Sequence, residues 1–550
     1  MKVAFVFFNH PPTPFNASIA ALAGAVRDAG HEAAALSIPL TTEVTSAAAR
    51  VDEAGADVVA VTAMSRDWPA AQAVLEALAP GPLRVVGGYH ASLAPLAVAG
   101  CDAVDAIGIG DGERPLRALL DAMAAGAPIQ TRPGLWVRGE DGFSGRPPPA
   151  DPEPTIADLP RWDYEVFGDV RAMLDHGLNT FGPLVDRYLP TRASRGCPYR
   201  CAYCSAPVWG EVAGFGASGG ANVRPVDDLC DELASLRDRH GPEGFELWDE
   251  HFPVDVAWLR ELAAAYPARV GLPFKVEMHP SAATRERLAL LAEAGCALFH
   301  CGVEAGDPTL RKQTLNRRTS DETLARVFRD ARELGLETSA SVMTGLPGET
   351  HAQAMATVEL LAALRPDSFM WSTYAALPFS PLGDAARPGW PGKAKVRLND
   401  APSLPSKTPP AMTDAEREDV HAALTALQRE LVDEAAARRG GARPRPVAIP
   451  EARSVAEPAL DVERLAARLG LRLDGARWQG DELLLDVAGE GVDGHTIAIG
   501  PADGSPAYAQ TEHLRFSYRG PDGPVALLRA IERLAERLGD ADLSSLRGQS

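Results

Sequence analysis

Cysteine is scarce in this chain: seven residues among 550. That excludes the disulfide scaffold of a small secreted domain. Long apolar runs are missing too. No stretch of 18 apolar residues occurs, so no membrane-spanning helix is expected. Basic charge is in deficit, with 54 Lys and Arg against 74 Asp and Glu and a formal net charge of −20. Nucleic acid and anionic membrane surfaces are therefore disfavoured as general partners. The opening MKVAFVFFNHPP lacks the length of a signal-peptide core and reads as a first strand, so a cytoplasmic location is expected. A second C-x2-C pair is also absent, which bears on the cysteines that are present.

Three of the seven lie together in RGCPYRCAYCSAP: Cys197, Cys201 and Cys204, spaced C-x3-C-x2-C. A C-x2-C pair alone reads as half of a zinc site or as a redox pair. Zinc wants four ligands, and His10, His90 and the other histidines are far away in sequence. Three thiolates this close can instead hold three irons of a [4Fe–4S] cluster. The fourth iron then has no protein ligand and stays open to a substrate or cofactor. Cys101, Cys230, Cys296 and Cys301 sit in apolar surroundings and read as core residues.

The length suits three or four domains. Residues 1–126 alternate short apolar runs (2–8, 34–38, 57–63, 83–89, 103–109) with helical patterns such as Ser18 to Ala29, stopped by Gly30. This predicts a doubly wound parallel sheet, Rossmann-like in build, with ligands beyond the carboxyl ends of the strands. Those ends carry Asn9 and His10, Ser65, Gly87, Gly88 and His90, and Gly108 to Glu113 with Gly110 among them; the paired glycines permit close backbone approach to a large flat ligand. Residues 127–188 are Pro-rich and read as a connector with a hairpin near Leu135-Trp136-Val137. From 189 to 385 the rhythm resumes, with strands expected at 190–194, 244–249, 274–278, 297–303, 338–344 and 368–374. Six βα units predict a partial (β/α)6 TIM-like barrel whose functional residues lie at strand C-termini. Thr319-x-x-Glu322 and Thr413-x-x-Glu416 read as capping boxes. Residues 386–455 form a helical and Pro-rich linker region. Residues 456–550 read as a small α+β module, with a helix near 462–469, strands near 482–487 and 496–499, and a last helix from Pro524. In it, Arg515, Tyr518 and Arg519 could suit an anion, though an ordinary solvated strand accounts for them better.

Strand, triad and barrel together resemble the radical S-adenosylmethionine (SAM) superfamily, and the preceding domain resembles its cobalamin-binding branch. The likeness spans about residues 1–385. It rests on RGCPYRCAYCSAP, on VVGGYHASLAP followed by VDAIGIGDGERPL, on GVEAGDPTLRKQTLNRRT and on MTGLPGET. The resemblance implies that Cys197, Cys201 and Cys204 ligate the cluster and that Tyr203 lies near the SAM adenine. It places Asp249 and Glu250 at the SAM amino group, and makes Glu277 and Glu304 candidates for the ribose and amino acid. Gly345 to Glu349 would shape the adenine end or the substrate side, although a capped turn accounts for Glu349 without a ligand. Cobalamin domains with a lower histidine ligand carry D-x-H-x-x-G after the first strand. FFNHPPTPFNAS has the histidine but neither the Asp nor the Gly in register, so His10 is expected not to bond cobalt. Methylthiotransferases share the barrel but bring three further N-terminal cysteines, and only Cys101 precedes the triad here.

The resemblance further implies a cobalamin-dependent radical SAM methyltransferase. A 5′-deoxyadenosyl radical would take hydrogen from an unactivated carbon of a small-molecule or peptide substrate, and methylcobalamin would supply the methyl group. A flavodoxin- or ferredoxin-like electron donor would be needed. Cyclisation, rearrangement or methylation of phosphorus are the alternatives within the family. A non-enzymatic cobalamin sensor is the alternative outside it, and no DNA-binding helix pair or signalling domain is recognisable.

Overall fold

The protein is described from a computed structural model. It describes residues 1–9, 15–40, 42–145, 156–175, 187–212, 222–375, 380–384 and 410–438, and the strands of 472–519. The chain divides into two compact units, Met1–Val447 and Ala448–Ser550.

In the first unit, β1 (Lys2–Asn9), β2 (Glu32–Pro39), β3 (Val58–Thr62), β4 (Leu83–Gly87) and β5 (Ala106–Gly108) form a parallel sheet in the order β2-β1-β3-β4-β5. Their near-continuous Val, Ala and Phe runs are what a sheet covered on both faces requires. Val6, Val59 and Val86 pack with Trp68 and Leu75, while Val3, Phe5 and Val85 pack with Ile19 and Leu119. The expected hairpin at 135–137 takes a different form. Strand β6 (Leu135–Val137) pairs antiparallel with β5 and extends this sheet, because Leu135 and Trp136 are apolar enough to be buried there.

The second sheet has the order β14-β13-β12-β11-β10-β7 and is parallel throughout. Its strands are β7 (Tyr188–Thr191), β10 (Gly244–Leu247), β11 (Phe274–Glu277), β12 (Cys296–Glu304), β13 (Glu337–Thr344) and β14 (Ser368–Thr373), a TIM-like partial barrel. The strand expected at 190–194 is split. After Thr191 the chain leaves the sheet, and β8 (Ser194–Arg195) pairs antiparallel with β9 (Asn222–Val223). Phe245, Phe274, Phe299 and Phe369 fill the core between this sheet and its helices.

Helix capping follows sequence in one place and departs in another. Thr413 and Glu416 make the reciprocal bonds of a capping box before the helix Asp414–Arg438. At 319–322 the cap is Ser320, whose hydroxyl accepts from the Thr323 amide; Thr319 is not the cap. The four isolated cysteines are all buried, as expected for core residues. The second unit contains a five-stranded antiparallel sheet of β15 (Arg472–Gln479), β16 (Glu482–Ala488), β17 (His495–Pro501), β18 (Ala509–Gln510) and β19 (Leu514–Arg519). Both strands anticipated there are present; the helices expected at 462–469 and from Pro524 lie outside the described residues.

Candidate functional site

The segment feeding the triad is pinned residue by residue. The amide and hydroxyl of Ser194 both donate to Asp249, the hydroxyl at 2.6 Å. Arg195 forms ion pairs with Glu113 at 2.5 Å and Asp111 at 3.0 Å. The Gly196 amide donates to Glu250 at 3.1 Å, from a positive φ of 98° that suits glycine. Cys197 follows. All three triad cysteines are free thiols. Burial pushes Cys197 and Cys204 up to about 11, so as bare thiols they hold their protons until a metal displaces them. The three donors are all thiols, the ligand type that iron–sulfur clusters take. A cluster distributes its thiolates over separate irons, so this donor set fits a cluster.

Tyr203, between the last two cysteines, donates its hydroxyl to Glu304 at 2.7 Å. Glu304 ends β12 at a φ of 71°, a left-handed conformation that is costly for a residue with a Cβ. Its carboxylate folds back over Gly302, where a Cβ would come within 2.0 Å of Oε1. Arg317 completes the group. One nitrogen lies 3.4 Å from Cys201 Sγ and 3.1 Å from the Tyr203 hydroxyl, and the other donates to the Gly302 carbonyl at 2.6 Å. Arg317 was not singled out from sequence. It lies within the GVEAGDPTLRKQTLNRRT segment, but nothing in that segment separates it from Arg318.

The remaining carboxylates differ in placement. Asp249 is buried behind the triad strand, and burial raises it to about 7 despite the Ser194 bonds. Glu250 pairs with Arg192 at 3.4 Å and lines a cleft. Glu277 ends β11 beside Lys275 at 3.4 Å; burial would raise it, but Lys275 holds it below the usual range. Glu349 accepts from the Gly345 and Leu346 amides, so it caps its own turn.

That cleft has a volume of about 520 Å³ and lies between the carboxyl ends of the first sheet and the triad segment. Gly87, Gly88, Gly110 and Glu113 line it, together with Phe7, Phe15, Trp162 and Trp248. A Cβ on Gly87 would meet nothing within 4 Å, so the backbone there leaves a cradle for a bulky flat group. Gly88 sits at φ 86°, where a Cβ would come 2.3 Å from Thr62 Oγ1. Glu113 is held low by the Arg195 guanidinium against the pull of burial, so its charge is already engaged. Ser65 and His90 are not in the lining. They bond each other at 3.1 Å, and His90 stacks on Trp68. Burial lowers His90 to about 4, so it is neutral at pH 7. Asn9 ends β1 opposite Pro39, and His10 lies outside the described residues. The helix after Cys204 places Trp209 on Tyr89, with ring centroids 4.5 Å apart.

Comparison with known proteins agrees with this layout. Residues 191–361 match the model of the radical SAM superfamily, and residues 9–120 that of the B12 binding domain. The anaerobic magnesium-protoporphyrin IX monomethyl ester cyclase of Cereibacter sphaeroides is 27% identical over 410 residues, covering 70% of this chain and 63% of the relative. The cytidylyl-2-hydroxyethylphosphonate methyltransferase of Streptomyces wedmorensis is 24% identical over 296 residues, covering 49% and 53%. The chain thus spans between half and two thirds of the length of these relatives. Among solved structures, the radical SAM methyltransferase TsrM from Kitasatospora setae, with cobalamin and a [4Fe–4S] cluster bound, superposes with a TM-score of 0.54 at 22% identity. It covers 70% of this chain and 77% of that one, a likeness of fold. No helix among the described residues is long and apolar enough to cross a membrane.

Proposed function

We propose that this chain, which belongs to the radical SAM enzymes that carry a B12-binding domain, is a methyltransferase acting on an unactivated carbon of a small-molecule or peptide substrate. The observation that carries the reading is the shared cleft. Its walls come both from the strand ends of the first sheet and from residues flanking the triad, so two cofactors can face one substrate. With a [4Fe–4S] cluster, SAM and cobalamin bound, such a site supplies a substrate carbon radical and a methyl group to meet it.

The chain's own residues bind, orient and exclude water. Cys197, Cys201 and Cys204 would hold the cluster. Tyr203, Glu250, Glu277 and Glu304 would face SAM, a carboxylate suiting its ammonium. Asp249 supports this set from behind by fixing Ser194. Gly87, Gly88 and Gly110 would let the corrin approach the backbone, and the aromatic walls keep water away. No protein general base is assigned. A flavodoxin- or ferredoxin-like protein would deliver the electron.

Anaerobic reconstitution with iron, sulfide and cobalamin tests this. We expect both metals to bind, SAM to yield 5′-deoxyadenosine, and a product heavier by one methylene with two SAM consumed. Failure to bind cobalamin would overturn it. The Cereibacter relative, similar over 70% of this chain, favours radical cyclisation as the second reading. A product that gains no methylene would select that reading.

A further inference from the structure

Four carboxylates converge on the three residues before Cys197. Asp249 and Glu250 follow the end of β10 and hold Ser194 and Gly196. Asp111 and Glu113 follow the end of β5, in the other sheet, and both hold Arg195. Arg195 is 9% exposed and Glu113 5%, so this is a nearly dry contact. A guanidinium is the one side chain with a rigid fork wide enough to bridge two carboxylates at once. Its neighbours on the two sides are the two candidate cofactor supports. Gly110, Asp111, Gly112 and Glu113 line the cleft, and Cys197 is two residues away along the chain.

We propose that Arg195 is a positioning residue that sets the separation between cobalamin and the cluster. It clamps the loop after β5 to the strand that delivers the triad. The inference rests on the cofactor assignment above. With Arg195 and Glu113 both buried, the clamp fixes how closely that loop approaches that strand.

The test uses the full chain loaded with cob(II)alamin and the reduced cluster. The readout is the microwave power needed to saturate the cob(II)alamin electron paramagnetic resonance signal, which a nearby paramagnetic cluster raises. In Arg195→Met we expect iron and cobalt contents within twofold of wild type and a severalfold drop in that power. Arg195→Lys keeps the charge without the fork. It is expected to fall between the two, and it carries the test should the methionine variant not fold. Unchanged relaxation in a fully loaded variant would overturn the clamp. So would loss of iron or cobalamin, because Arg195 would then support the fold and not the spacing. Wild-type protein that binds no cobalamin would instead defeat the cofactor assignment itself, and is told apart by its cobalt content.

Discussion

Arg317 shows how much one buried side chain organises here. Its guanidinium touches a triad thiol, the Tyr203 hydroxyl and a strand carbonyl, and lies 3.5 Å from the Glu304 carboxylate. Arg317→Met would leave Glu304 buried without its cation. Breaking such a pair costs about 3 kcal/mol, so the urea midpoint of the metal-free protein should fall accordingly. Glu349 gives a pH signature. Burial raises its carboxyl to about 7 although two amides donate to it. An acid raised in the folded state binds protons that the unfolded chain has released. Its contribution is therefore full below about pH 4 and is lost as pH rises towards 7. Glu349→Gln keeps an acceptor for both amides and removes the titration. Between pH 4 and 7 the wild type should lose up to about 3 kcal/mol more stability than the variant, as read from thermal unfolding at the two pH values. The triad was legible as a motif, because its spacing stands out in a chain with few cysteines; its role as cluster ligands remains part of the proposed function. The carboxylates were legible as strand-end residues only. Sequence marks that Asp249 and Glu250 are adjacent, but not that they bond Ser194 and Gly196, which lie more than fifty residues before them.

At the scale of elements, Gly87, which ends β4, and Gly88, which opens the helix after it, have different reasons to be glycine, and substitution separates them. Gly87→Val would project into the open cleft, so the fold should hold while cobalamin affinity falls at least tenfold, about 1.4 kcal/mol, as read by spectrophotometric titration. Gly88→Ala would strain a positive φ and press on Thr62 Oγ1, so the cost should fall on folding, at about 1–3 kcal/mol in the urea midpoint. Both parallel sheets could be expected from apolar runs alternating with helical patterns, because that alternation leaves few other layered arrangements, whereas the order β2-β1-β3-β4-β5 came only with the structure. Elements set by partners were not legible. Strand β6 looks like a local hairpin until β5 offers it an edge, and Ser320 caps in place of Thr319 because the last residue before the helix is the one whose hydroxyl reaches the Thr323 amide.

For the molecule as a whole, the contacts that make the site join residues far apart in sequence. Arg195 reaches Glu113 across 82 residues, and Tyr89 stacks on Trp209 from still further away in sequence. Periodicity carries no record of such pairs, which arise only when two separately folded sheets meet. Every residue assigned to cobalamin, SAM or the cluster lies before Val447, within the first compact unit, and the antiparallel sheet of residues 472–519 supplies none of them. Cofactor loading should then be a property of the first unit alone. Ending the chain after Val447 should leave iron and cobalt per chain unchanged within about twofold, a shift of under about 0.5 kcal/mol in binding. Metal analysis after anaerobic reconstitution checks this. Loss of either metal would mean that the last hundred residues complete the cofactor site, whereas full loading with lost turnover would assign them to substrate or electron donor.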